Sequence, residues 1–154
     1  MPSTEVEKIV SGGQTGADRA ALDWAISRNI PHGGWCPKGR LAEDGTIPSH
    51  YDLQEMPTKD YPRRTEQNVI DSDGTVIFTI KPLLAGGSME TAEFVVKHRK
   101  PLLHVHSHEP DAGKKLADFV AQHQIKTLNV AGPRASGGPT IGEFVTKVLD
   151  AAFS

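Results

Sequence analysis

Three times along this chain a short run of apolar, partly β-branched residues gives way to glycines and then to a helix-forming stretch. The first case is the clearest. Val6 to Val10 reads as a strand, residues 11–16 (Ser-Gly-Gly-Gln-Thr-Gly) as a loop, and Ala17 to Arg28 as a helix with Ala21, Leu22, Ala25 and Ile26 on one face. Gly12, Gly13 and Gly16 permit a turn that a Cβ would obstruct. Comparable loops, residues 81–88 and 132–139, follow the strands Gly74–Ile80 and Thr127–Ala131. Strands and helices alternating in this way predict an α/β chain: a Rossmann-like three-layer sandwich, its central sheet mostly parallel, with helices on both faces. In such a sheet all strand-to-helix loops lie at one edge, so the three glycine loops converge where these folds bind ligands. Helix N-termini there carry free N–H groups and partial positive charge, which predicts a phosphorylated or otherwise anionic small molecule. Taken alone, the first loop matches neither Gly-x-Gly-x-x-Gly nor the P-loop pattern, and fits a plain tight turn as well as an anion cradle.

The other strands and helices are less sharply written. A short strand is expected near 31–35, where glycines point to close backbone approach. Residues 36–62 are irregular and contain six prolines and glycines, yet Tyr51, Leu53, Met56 and Tyr61 argue for packing, so a lid or binding loop is expected. Helices follow at about 63–71, from Ser88 (a candidate N-cap) to about His98, at about 112–124 and at about 140–152, with a strand at Pro101–Val105. The last helix has one apolar face, formed by Ile141, Phe144, Val145, Val148, Leu149 and Ala152, expected to pack on the sheet.

Length and charge narrow the function classes. The 154 residues are expected to form a single domain, residues 1–154, and a formal net charge of −2 offers no basic field for nucleic acid. No apolar run approaches a membrane span, and the N-terminal residues lack the basic and apolar regions of a secretory signal. One cysteine, Cys36, excludes an internal disulfide, and the expected location is cytoplasmic.

Several side chains are candidates for chemistry. Lys38, Arg40, Arg63, Arg64, Lys81 and Arg134 lie in or beside edge loops, with Arg64 and Arg134 the preferred pair for an anion. Asp18, in a first helical turn, either complements the helix dipole or grips a ribose hydroxyl or Mg²⁺. His104, His106 and His108 share one strand face, but no acidic or thiol partner has metal-site spacing, so no metal site is assigned. Cys36 has Lys38 and Arg40 nearby but no base beside it, which favours a structural or ligand-contacting thiol.

The segments Ser11–Ala25, Gly33–Arg40, Ala42–Gly45 with Ile47-Pro48, Arg64-Thr65-x-x-Asn68-Val69, Ser72–Thr75 and Leu128–Arg134 together resemble the molybdenum-cofactor carrier family. That family lies in the circularly permuted YpsA-like branch of the SLOG superfamily, and the resemblance covers nearly the whole chain. It implies a Rossmann-like sheet binding molybdenum cofactor or a nucleotide-like ligand, and a homo-oligomer. Gly12, Gly13, Thr15, Gly16, Asp18, Gly86, Gly87, Ser88 and Thr91 would contact the ligand, with Arg64 and Arg134 as charge partners. Related phosphoribohydrolases carry Pro-Gly-Gly-x-Gly-Thr-x-x-Glu. Here the comparable stretch, Ala85–Glu93, lacks the proline and the third glycine, and its threonine, Thr91, sits one place later. Glu93 falls at the glutamate's position, so the alternative function is cleavage of a nucleotide's N-glycosidic bond by Glu93 with Arg64.

Overall fold

The computed structural model describes residues 6–153, and its elements alternate as the loop pattern predicts. Strand β1 (Lys8–Val10) leads through the first glycine loop into α1 (Ala17–Ser27), then β2 (His32–Gly33) and β3 (Trp35–Cys36). The irregular stretch carries β4 (Leu41–Ala42), β5 (Gly45–Thr46) and β6 (Gln54–Glu55) before α2 (Tyr61–Ile70). The second half runs β7 (Gly74–Thr79), α3 (Gly86–Lys97), β8 (Leu102–His106), α4 (Ala112–His123), β9 (Thr127–Ala131), a 3-10 turn at Ala135–Gly137 and α5 (Ile141–Phe153).

The central sheet has the order β2-β1-β9-β7-β8, and all of its pairings are parallel. β7 is buried along its whole length, as a β-branched run covered on both faces should be, with Val76 opposite Leu103 on one side and Val130 on the other. The last strand of the chain therefore lies in the middle of the sheet. Counted from β9 as if it came first, the order becomes 3-2-1-4-5, that of a doubly wound nucleotide-binding sheet. The crevice at the carboxyl ends of β9, β1 and β7 is then the place for a ligand.

Helices α1, α4 and α5 pack together, and α2 packs beside α3, so both faces of the sheet are covered. Ile141, Val145, Val148, Leu149, Ala152 and Phe153 of α5 are buried, with Phe144 edge-on to Phe78 at 5.7 Å. Leu22, Cys36, Ile47 and Tyr51 form a smaller second cluster that pins the strap between β3 and α2 onto α1. The N-cap of helix α3 lies three residues earlier than expected, at Ala85 and not Ser88, and no side chain caps it. No helix among the described residues is long and apolar enough to cross a membrane.

A candidate anion-binding cleft

A cleft of about 380 Å³ opens at the carboxyl edge of the sheet. Its floor is the end of β9, Asn129 to Ala131, continuing into Gly132–Arg134. Gly12, Gln14 and Asp18 form one wall, α2 contributes Tyr61, Arg64, Thr65 and Asn68, and the start of α3 contributes Gly87, Ser88, Glu90 and Thr91.

The wall is organised by one ion pair. Asp18 is only 5% exposed, and its Oδ2 accepts from Arg64 Nη1 at 3.3 Å and from the Gln14 N–H at 3.2 Å. Burial pushes the Asp18 carboxyl up, against Arg64 and the N–H groups of Gln14 and Gly12, which pull it down. Arg64 lies directly on Gly12: a Cβ there would sit 1.7 Å from Nη1, so only glycine lets the guanidinium reach Asp18. The Tyr61 ring faces the guanidinium with its centroid 5.6 Å from Cζ. Arg64 Nε is buried and has no partner among the described residues.

The N-termini of α1 and α3, both at this edge, differ in a way local sequence hides. Around α1 the donors are used internally: Thr15 N–H goes to Gln14 Oε1 at 3.1 Å and Ala17 N–H to Pro133 O at 3.2 Å, beside the Asp18 contacts. At α3 the Ser88 and Met89 N–H groups turn to Ala85 O. The N–H groups of Gly86 and Gly87 then have no intrahelical acceptor, as the first turn of any helix requires. Of these two, the N-terminus with open donors is therefore that of α3, and the first glycine loop is a closed wall.

Of the residues singled out from sequence, Gly12, Asp18, Arg64, Gly87, Ser88, Thr91 and Arg134 line the cleft. Gly13, Thr15, Gly16 and Gly86 do not. Gly13 faces the strap instead, where a Cβ would meet Leu53 Cδ1 at 2.5 Å. Gly16, at φ +82°, is packed against Pro133 O and Ala135 N. Thr15 is bonded to the strap and to the 132–139 loop. Thr91 donates back to Gly87 O at 2.9 Å, which leaves it bracing the turn. Glu93 is exposed and outside the cleft, whereas Glu90 lines it. Tyr61, Thr65 and Asn68 also line it without being among the sequence candidates, although with Arg64 they repeat at i, i+3, i+4 and i+7 along α2.

The sequence profile of the circularly permutated YpsA SLOG family matches residues 9–153. The chain belongs to this family. A crystal structure from Syntrophus aciditrophicus SB, of a protein named "Putative molybdenum carrier protein", is similar with a TM-score of 0.95 and 49% sequence identity, covering 99% of this chain and 97% of that one. No curated protein matches. A strand order that becomes regular when counted from the chain's last strand is what a circular permutation, named in the family's description, produces.

The remaining candidates of this family member are committed elsewhere. Arg40 donates to Pro48 O at 2.7 Å and Tyr51 O at 2.9 Å, holding the strap's own backbone, while Lys38, Arg63 and Lys81 are exposed. Burial pushes the Cys36 thiol up, which disfavours the reactive thiolate. His104 and His106 lie in β8 and His108 beyond it, with ring centroids 6.3 and 6.2 Å apart. His104 Nε2 lies 2.6 Å from Thr79 Oγ1, whose hydroxyl is donated to Lys81 O at 2.6 Å, so Nε2 carries the proton. Among the described residues no three His, Cys, Asp or Glu side chains are grouped to hold a metal ion.

Proposed function

We propose that this chain binds and carries molybdenum cofactor or a related phosphorylated pterin or nucleotide, with the phosphate at the start of α3. The observation that carries this reading is the uncapped α3 N-terminus facing the Asp18–Arg64 wall across a cleft of about 380 Å³, a size suited to a small molecule. The name of the Syntrophus aciditrophicus protein points the same way. The Gly87 backbone, the Ser88 hydroxyl and Arg134 would hold the phosphate, while Glu90 would take hydrogen bonds from a heterocycle or sugar. Opposite charges are balanced within the lining, Asp18 and Glu90 against Arg64 and Arg134, so the helix N–H groups decide where an anion sits. Mg²⁺ is not part of this reading, because Asp18 is committed to Arg64.

Carriage and cleavage are separated by what becomes of the ligand. Glu93 stands outside the cleft, so the N-glycosidic alternative loses its assigned carboxylate, and Glu90 is the one acid that α3 presents to the cavity. Nucleoside monophosphates incubated with the protein should be recovered intact by mass spectrometry. Glu93→Gln should bind within about tenfold of the parent, roughly 1.4 kcal/mol. Steady release of ribose 5-phosphate that disappears in Glu93→Gln or Glu90→Gln would replace the carrier with a hydrolase.

The same reading includes a cytoplasmic homo-oligomer that engages neither nucleic acid nor membrane. The apolar face of α5 is used internally, so self-association falls to α3, where Met89 is 42% and Val96 70% exposed one heptad apart. Light scattering at micromolar concentration should give a mass well above 16.6 kDa, reduced by Val96→Glu. A monomeric mass for the parent chain removes assembly from the proposal.

A further inference from the structure

The turn between β4 and β5 presents two acids, and they do different things. Asp44 pairs with Arg19 of α1 through two bonds of 2.6 and 2.8 Å, which fastens the strap to the fold. Glu43 reaches the loops 11–16 and 132–139 instead. Its Oε1 accepts from the Ser136 hydroxyl at 2.5 Å, and its Oε2 from the Ser136 N–H at 3.2 Å and from the Thr15 hydroxyl. Ala135 N–H donates to Thr15 Oγ1 at 3.1 Å, so that hydroxyl is oriented to donate outward, towards the carboxylate. The Arg134 charge adds to the attraction, and these contacts hold the Glu43 carboxyl below the ordinary glutamate range although it is exposed.

Three donors and a guanidinium around one carboxylate is the environment of a bound oxyanion. The donors belong to loops 11–16 and 132–139, of which Gly12, Gln14, Gly132, Pro133 and Arg134 line the cleft, and the Arg134 charge also acts on Glu43. We propose that Thr15 and Ser136 form a second oxyanion subsite on the rim of the cleft, and that Glu43 is its internal occupant. A ligand bearing two anionic groups, such as a diphosphate, displaces Glu43 and releases the tip of the strap, whereas a monophosphate leaves it seated. The Glu43 N–H donates to Gln14 Oε1 at 2.8 Å, and Gln14 lines the cleft, so movement of the strap tip is felt at the cleft wall. This inference deepens the reading of the cleft as a phosphate site and rests on it.

The test is calorimetric titration of the full chain with inorganic pyrophosphate. Glu43→Ala should bind it at least tenfold more tightly than the parent, because the competing carboxylate is gone, and Ser136→Ala added to Glu43→Ala should abolish the gain. Glu43→Gln, which keeps the side-chain shape, should show a smaller gain of the same sign. In limited proteolysis, saturating pyrophosphate should increase cleavage of the parent at residues 41–46. Unchanged or weaker affinity in both Glu43 variants, a gain that survives Ser136→Ala, or cleavage unaffected at saturation overturns the subsite. The cleft reading fails separately: Gly87→Val with undiminished monophosphate affinity removes the α3 site, while the Ser136-dependent gain of Glu43→Ala would still stand.

Discussion

Arg64→Met is expected to lower unfolding stability by about 3–5 kcal/mol at neutral pH, the usual result of stripping a buried carboxylate of its charge partner. Asp18 is inside the protein, and Arg64 is the cation that faces it, at 3.3 Å. The N–H groups of Gln14 and Gly12 remain in the variant, but two neutral donors do not replace a guanidinium. The pH dependence has a definite sign. Burial already raises the folded-state pKa of Asp18 above its ordinary 3.8, and loss of Arg64 raises it further. The cost of keeping this carboxylate ionised is absent below the unfolded pKa, grows as pH rises from there to the folded one, and is constant above it. The unfolded state is common to both chains, so the deficit of Arg64→Met relative to the parent should be present at pH 7 and shrink as pH falls into the acid range, vanishing below the parent's own folded-state pKa of Asp18. Asp18→Asn in the same chain should restore most of the loss, since an amide oxygen still accepts the Gln14 N–H. Urea unfolding of the single and double variants across that range measures both effects. A deficit under about 1 kcal/mol at pH 7 would mean that cleft water solvates Asp18 well enough to make the pair dispensable.

The parts of this architecture legible in sequence are those governed by short-range physics. Val76, Ile77 and Phe78 could only be a buried strand, and the α5 apolar stripe could only face a core. Convergence of the glycine loops followed from parallel connectivity. The placement of β9 between β1 and β7 did not, because strand order is set by pairings far apart in the chain. The identity of the open helix end was hidden for another reason: Asp18 folds back on the loop preceding it, and Pro133, contributed from beyond β9, takes the Ala17 N–H. Local sequence shows a glycine loop before a helix in both cases and does not show which donors are already used. The motif match to the phosphoribohydrolases, not helix periodicity, points to Glu93. Starting α3 at Gly86 directs Glu90 and Thr91 inward and leaves Glu93 exposed. The polar face of α2, Tyr61, Arg64, Thr65 and Asn68, was readable in principle, but helical periodicity is normally sought in apolar residues, and this face is polar because it borders a cleft.

Gly16 and Gly87 should respond in opposite ways to the same substitution. At Gly16 a valine would have to adopt φ +82°, and its Cβ would lie 2.5 Å from Pro133 O and 2.7 Å from Ala135 N, backbone atoms that cannot rotate aside. Backbone strain and overpacking together should cost about 3–5 kcal/mol and separate the loop 11–16 from the loop 132–139. A Cβ added at Gly87 would meet nothing within 4 Å, and this residue lies in the first turn of a helix, where valine is no worse than glycine. Gly87→Val should thus stay within about 1 kcal/mol of the parent in stability. Its side chain would nevertheless occupy the mouth of the cleft beside the N–H groups that the phosphate needs, and calorimetry with a nucleoside monophosphate should detect no binding. Gly16→Val tests how the walls are joined, and Gly87→Val tests where the anion sits. A Gly87→Val protein that is folded and binds the monophosphate as the parent does would move the anion away from α3.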